Sequence, residues 1–173
     1  MKKVFLFLFF CLTVFSLYGQ TSPVDELFDK YAGKEGFTSV FISSKMLGLV
    51  ANMESGNETT DDVMGKLKSI RILAVEDSTL NKNINFYTEL AKKMDFSGYE
   101  EIMVVREGKN VTYFLTKQSG KTVSELLLIS GGTGANTLIS IRGDLDLKDL
   151  SGLSKNMGIE ELKVLEDLEK KIP

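Results

Sequence analysis

Between Tyr99 and Arg142 the chain carries four β-rich runs, Tyr99–Arg106, Val111–Lys117, Thr122–Ile129 and Thr137–Arg142. The segments that join them, Glu107-Gly108-Lys109-Asn110, Gln118-Ser119-Gly120 and Ser130-Gly131-Gly132-Thr133-Gly134, are short and rich in turn-forming residues. A parallel neighbour needs a crossover of about a dozen residues or more, so consecutive runs here can pair only antiparallel. In the second run Val111, Tyr113 and Leu115 point one way and Thr112, Phe114 and Thr116 the other, which makes one face fully apolar and the other amphipathic.

The first half supplies helices and one or two further strands. Ser22, Pro23 and Asp25 place a capping hydroxyl, a proline at the first helical position and a carboxylate in the first turn, and Val24, Leu27, Phe28 and Tyr31 form a core-facing stripe that Gly33 is placed to end. Phe37–Ser43 reads as a strand, and Met46, Leu47, Val50 and Met53 return to helical spacing. Glu54–Thr60 is a polar loop, with Thr60 capping a helix that opens with Asp61 and Asp62. Ile70–Val75 is a buried-strand candidate and Asp77–Thr79 a loop, while Ile84, Tyr87, Leu90, Ala91 and Met94 mark the longest helix expected in the chain. The C-terminal stretch carries two amphipathic stripes, Leu147, Leu150, Leu153 and then, after Gly158, Leu162, Leu165, Leu168. The simplest architecture is an α+β two-layer sandwich: a mostly antiparallel sheet with a four-strand C-terminal meander and helices packed on one face.

The N-terminus sets the compartment. Lys2 and Lys3 precede an apolar run from Val4 to Val14, followed by Ser16, Leu17, Tyr18 and Gly19 before Gln20, the pattern of a secretory signal peptide over residues 1–19. The run falls short of the ~20 residues a bilayer span needs, so no membrane span is expected in the mature form. The bulky Leu8, Phe9 and Phe10 before Cys11 do not resemble a lipidation signal. The expectation is one α+β domain over 20–173, exported to the periplasm or the extracellular space.

Cys11 is the only cysteine, and the chain has no histidine or tryptophan, so residues 20–173 offer neither thiol nor imidazole. Disulfides, Cys/His zinc sites, Cys-His nucleophiles and Ser-His-Asp triads are excluded, since each needs a thiolate or an imidazole. Losing Lys2 and Lys3 from 21 basic residues leaves 19 against 24 acidic ones, a net charge of −5. Such a balance argues against nucleic acid or an anionic membrane surface as a partner.

The remaining patterns each have a plain structural reading. Ser130-Gly131-Gly132-Thr133-Gly134 runs into a strand, whereas a phosphate cradle opens a helix, so it reads as a hairpin turn. Asp144-Leu145-Asp146-Leu147-Lys148-Asp149 spaces three carboxylates closely, yet Asp149 and Lys155 stand where a calcium loop requires glycine and glutamate. Asp146 is better placed as a helix cap. The pairs Glu100 and Glu101, Asp61 and Asp62, and Glu160 and Glu161 read as solvated or capping groups rather than a glycosidase dyad. Asp77-Ser78-Thr79 fits an O-glycosylation acceptor pattern of bacterial envelope proteins at Ser78, beside the reading as an ordinary turn. Asn57-Glu58-Thr59 and Asn110-Val111-Thr112 fit the N-glycosylation pattern, which would be silent in a bacterium.

Four segments together resemble a known family: Phe28-Asp29-Lys30-Tyr31-Ala32-Gly33-Lys34-Glu35-Gly36-Phe37-Thr38-Ser39-Val40, the strand-turn-strand around Glu107 to Tyr113, Ser124-Glu125-Leu126-Leu127, and Ile141-Arg142-Gly143-Asp144-Leu145-Asp146-Leu147. They look like the domain-of-unknown-function family numbered 4252, and the likeness runs through nearly all of the mature chain. The resemblance implies an exported protein of Bacteroidota with an envelope-stress connection, and it brings no catalytic residues. The expected function is a non-enzymatic binding or regulatory module with an envelope protein as partner and no cofactor. The runner-up is a carrier or sensor of an apolar small molecule, held in a Met- and Phe-rich groove between sheet and helices. A hydrolase built on Asp, Glu, Ser, Lys or Tyr ranks last, because neither Ser-x-x-Lys nor Gly-x-Ser-x-Gly is present.

Overall fold

A computed structural model describes residues 21–53, 63–120 and 122–146. The signal segment, the Thr60 cap with Asp61 and Asp62, and the leucine stripes from Leu147 onward with Glu160 and Glu161 lie outside the described residues.

The described elements in chain order are α1 (Pro23–Tyr31), β1 (Phe37–Ser43), α2 (Ser44–Met53), β2 (Leu67–Val75), α3 (Ser78–Asn81), α4 (Phe86–Ala91), a 3-10 turn at Phe96–Gly98, β3 (Glu100–Glu107), β4 (Asn110–Ser119), β5 (Thr122–Gly131) and β6 (Thr137–Leu145). The six strands form one antiparallel sheet in the order β1-β2-β6-β5-β4-β3, an α+β architecture. β3 to β6 therefore follow one another across the sheet in chain order. Glu107 pairs with Asn110 and Ser119 with Thr122. Gly108 and Gly120 take φ of +61° and +64° at these turns, a region that a side chain disfavours.

β5 explains the layering. Leu126, Leu127, Leu128 and Ile129 are consecutive and all buried, so the strand is apolar toward both faces. Leu127 and Ile129 join Leu73, Leu115 and Leu138 beneath Val24, Leu27, Phe28 and Tyr31 of α1 and Phe86 and Leu90 of α4. Leu126 and Leu128 join Ile70, Phe114, Ile139 and Ile141 on the opposite face, with Leu47 of α2 and Met64. Helices on one face only is thus corrected to apolar cores on both faces, since each face of β5 must leave water. Fully burying one such leucine is worth about 1.5–3 kcal/mol.

Two local readings also change. The 84–94 segment is helical only over Phe86–Ala91, shorter than α1 and α2, because the Asn85 side chain accepts from the Thr88 amide and sets the start there. Asp77–Thr79 is not an open loop: Asp77 accepts from the amides of Thr79 and Leu80, both at 2.8 Å, and caps α3.

Candidate functional site

One rim of the sheet combines an exposed apolar surface with the largest ionic network among the described residues. β1 pairs with β2 from Phe37↔Val75 to Ser43↔Ser69, which sets Phe41 opposite Arg71. Phe41 is 62% exposed, Val40 39%, and Met46 and Leu49 of the adjoining α2 are 52% and 53% exposed. The segment from 36 to 53 holds a single charged residue, Lys45.

Arg71 links this rim to the interior. Its guanidinium lies 5.2 Å from the Phe41 ring centre and 5.7 Å from that of Phe28, so it is held between two aromatic rings. Its Nη1 donates to Asp25 Oδ1 at 3.1 Å. Asp25 sits in the first turn of α1, where the Ser22 Oγ accepts from the Val24 amide at 3.3 Å and fixes the helix start. Arg142 Nη1 donates to both Asp25 oxygens at 3.0 Å, and its Nε donates to Glu125 Oε1 at 2.9 Å. Ser140 donates to the same Glu125 oxygen at 2.6 Å, and Tyr99 donates to Oε2 at 2.6 Å.

The environment shifts two of these groups. Burial opposes the charge on Arg142, but the hydrogen bonds to Asp25 and the nearby Glu125 carboxylate outweigh it and hold its pKa above the usual arginine value. Burial, then the hydrogen bond to Glu125, pushes the Tyr99 phenol well above the ordinary tyrosine range. Both Glu125 oxygens are engaged, two guanidinium groups face two carboxylates, and neither an activated nucleophile nor a convergent acid pair stands in the cluster. It acts as a clamp that locks α1 to β2, β5 and β6 and fixes the support under Phe41.

The sites expected from the sequence fall elsewhere. Ser78 is an exposed residue at the start of α3, beside the capping Asp77. The glycine loop joins β5 to β6 and folds on its own neighbours: Asn110 Oδ1 accepts from the Gly134 amide at 3.1 Å, and buried Asn136 donates to the Gly132 carbonyl at 3.1 Å. A Cβ at Gly132 would stand 2.2 Å from Asn110 Oδ1 and 2.7 Å from the Lys109 carbonyl, so glycine is required by space. Asp144 is ion-paired with Lys68 at 2.8 Å, both exposed, and Asp146 is exposed at the end of the described chain. The helix that Asp146 was expected to cap, and Asp149, lie outside the described residues. Glu100 accepts from Gln118 at 3.1 Å on the β3 edge. Among the described residues no three carboxylates gather as a metal site would require, and no helix is long and apolar enough to cross a membrane.

The clamp was invisible to local pattern reading, because its members are far apart in sequence. The available signal was Glu125 itself, a charge at an inward position within Val123–Ile129, which demands a buried partner.

No curated protein and no solved structure matches the chain. The sequence profile of a domain of unknown function, DUF4252, matches residues 31–153, a span that contains all six strands, α2, and the Arg71, Glu125 and Arg142 members of the clamp. With most of its length covered by that profile, the chain belongs to the DUF4252 family.

Proposed function

We propose that this chain is an exported, non-enzymatic module that binds a protein partner in the cell envelope through the β1–α2 rim. The observation that carries the reading is the exposed group Val40, Phe41, Met46 and Leu49 on a nearly uncharged stretch of an acidic chain. Exposed apolar side chains gathered at a sheet rim are costly in water and are the usual mark of a protein contact. The clamp supports it by holding Arg71 beneath Phe41, which preorganises the ring for contact. The signal-peptide pattern and the lack of thiol and imidazole in residues 20–173 favour the same reading, with an envelope-stress role as its regulatory context.

A photo-crosslinking residue at Met46, in cells exporting the protein, tests it against the same group at exposed Lys82. The expected result is a discrete adduct from position 46, absent from position 82 and lost on adding Leu49→Glu. No adduct from 46, or equal adducts from both positions, overturns the reading.

A further inference from the structure

We infer that the partner of the β1 rim is a second copy of this chain, joined by antiparallel pairing of β1 with β1 about a two-fold axis through Val40. The inference rests on the reading of this rim as a protein-binding surface and names its occupant. Among the described residues β1 has one strand neighbour, β2, and its outer backbone groups face away from the sheet. Such groups need a partner or water, and natural edges carry charge, proline or a bulge to keep other strands away. β1, Phe-Thr-Ser-Val-Phe-Ile-Ser, has neither charge nor proline, and its pairing with β2 runs without a register shift. The opposite edge, β3, exposes Glu100, Glu101, Arg106 and Glu107.

The placement of the exposed groups selects strand addition. Phe41 lies on the Arg71 side of the sheet, and Val40, by alternation, on the side where Ile42 meets the Leu47 cluster. A body docked on one face would cover only one of them, whereas a strand laid alongside β1 reaches both.

The composition of β1 selects a second copy. Full overlap of the seven residues fixes the register: Val40 on Val40, Ser39 on Phe41, Thr38 on Ile42 and Phe37 on Ser43. Each phenylalanine then faces a serine, so the bulkiest side chains meet the smallest, while β-branched Val40 meets its own copy and Thr38 meets Ile42. A strand carrying charge at the axis sets like charges together when it pairs with itself, and β1 carries none. Two acidic chains thereby meet through an uncharged strand.

The test uses the exported chain with Cys11→Ser, so that an introduced cysteine is the only thiol whether or not residues 1–19 remain. The expected result is a concentration-dependent dimer in sedimentation, a dissociation constant raised about tenfold or more by Val40→Lys, and a retained melting transition, since Val40 is already exposed. Val40→Cys should be joined into a covalent dimer by a short bismaleimide, while Glu101→Cys on the opposite edge should not. A chain monomeric at high micromolar concentration overturns the inference, as does a dimer that forms equally with Val40→Lys or crosslinks equally at position 101. A monomer whose position 46 still gives a discrete adduct with a different protein overturns the second copy and leaves the protein-binding reading standing.

Discussion

Arg142 Nη1 donates to both carboxylate oxygens of Asp25 at 3.0 Å, tying the first described helix to the last described strand across 117 positions of sequence. The same carboxylate receives Arg71, so a single side chain holds two guanidinium groups in place. Asp25→Ala leaves both cations without this acceptor and should cost about 1–3 kcal/mol, read as a lower urea midpoint with an unchanged slope. Asp25→Asn, which keeps one acceptor oxygen, should fall between the two.

Tyr99 gives the clamp a pH limit on the alkaline side. Its folded-state pKa lies above the unfolded value of about 10, so the contact stabilises fully below that pH and is lost as pH rises through the higher folded value. Absorbance titration should show one phenol ionising well after the others, together with the loss of native structure. In Tyr99→Phe that late phase should be absent, with stability at neutral pH lower by about 1–3 kcal/mol because Glu125 Oε2 loses its donor.

Glu89 sets the complementary limit in acid. Burial raises its pKa, but the bonds from Lys30 and Tyr31, both at 2.6 Å, outweigh that and hold it below the usual carboxylate value. Its contribution is present above the unfolded pKa and is lost as pH falls through the lower folded one. Half of Lys30 is in water, so Glu89→Gln should cost at most about 1 kcal/mol at pH 7, and wild type and variant should converge at low pH in thermal melts.

Gly132 should tolerate no side chain. With a Cβ placed 2.7 Å from the Lys109 carbonyl, relief requires backbone movement in the β5–β6 loop. Gly132→Ala should lower stability by about 1–3 kcal/mol, whereas Gly98→Ala, with open space around it, should change it little in the same assay.

The proposed export is checked by intact mass. Cleavage after Gly19 should leave Gln20 as the new terminus and remove Cys11, the sole cysteine, so reductant should not move the melting temperature of the cleaved form.

The strands were legible where the chain advertises them. Val111–Lys117 alternates cleanly, and Gly108 and Gly120 mark the tight turns, so the antiparallel pairing of β3 to β6 follows from local chemistry. The start of β2 at Leu67 was hidden because Lys68, Ser69 and Arg71 break the apolar pattern, and the register shift between Leu67 and Ser69 has no local signature. The 84–94 stripe has the spacing of one helix because Ile84 and Met94 do pack on the core, although the Asn85 cap leaves Ile84 before the helix and Lys92 closes it before Met94. The rim was unreadable for another reason: Val40 and Phe41 look like core residues until the strand order places β1 outermost.

The contrast between the two outer strands also governs where growth stops. A sheet with two adhesive rims adds copies without limit, as fibres do, because every addition exposes another adhesive rim. Here the far rim ends in Glu100 and Glu101 on one side and Arg106 and Glu107 on the other, so whatever pairs with β1 meets no second welcoming strand. One uncharged rim and one guarded rim make a molecule that can be capped once. Neutralising the β3 acids is therefore the change most apt to turn a finite assembly into an open-ended one.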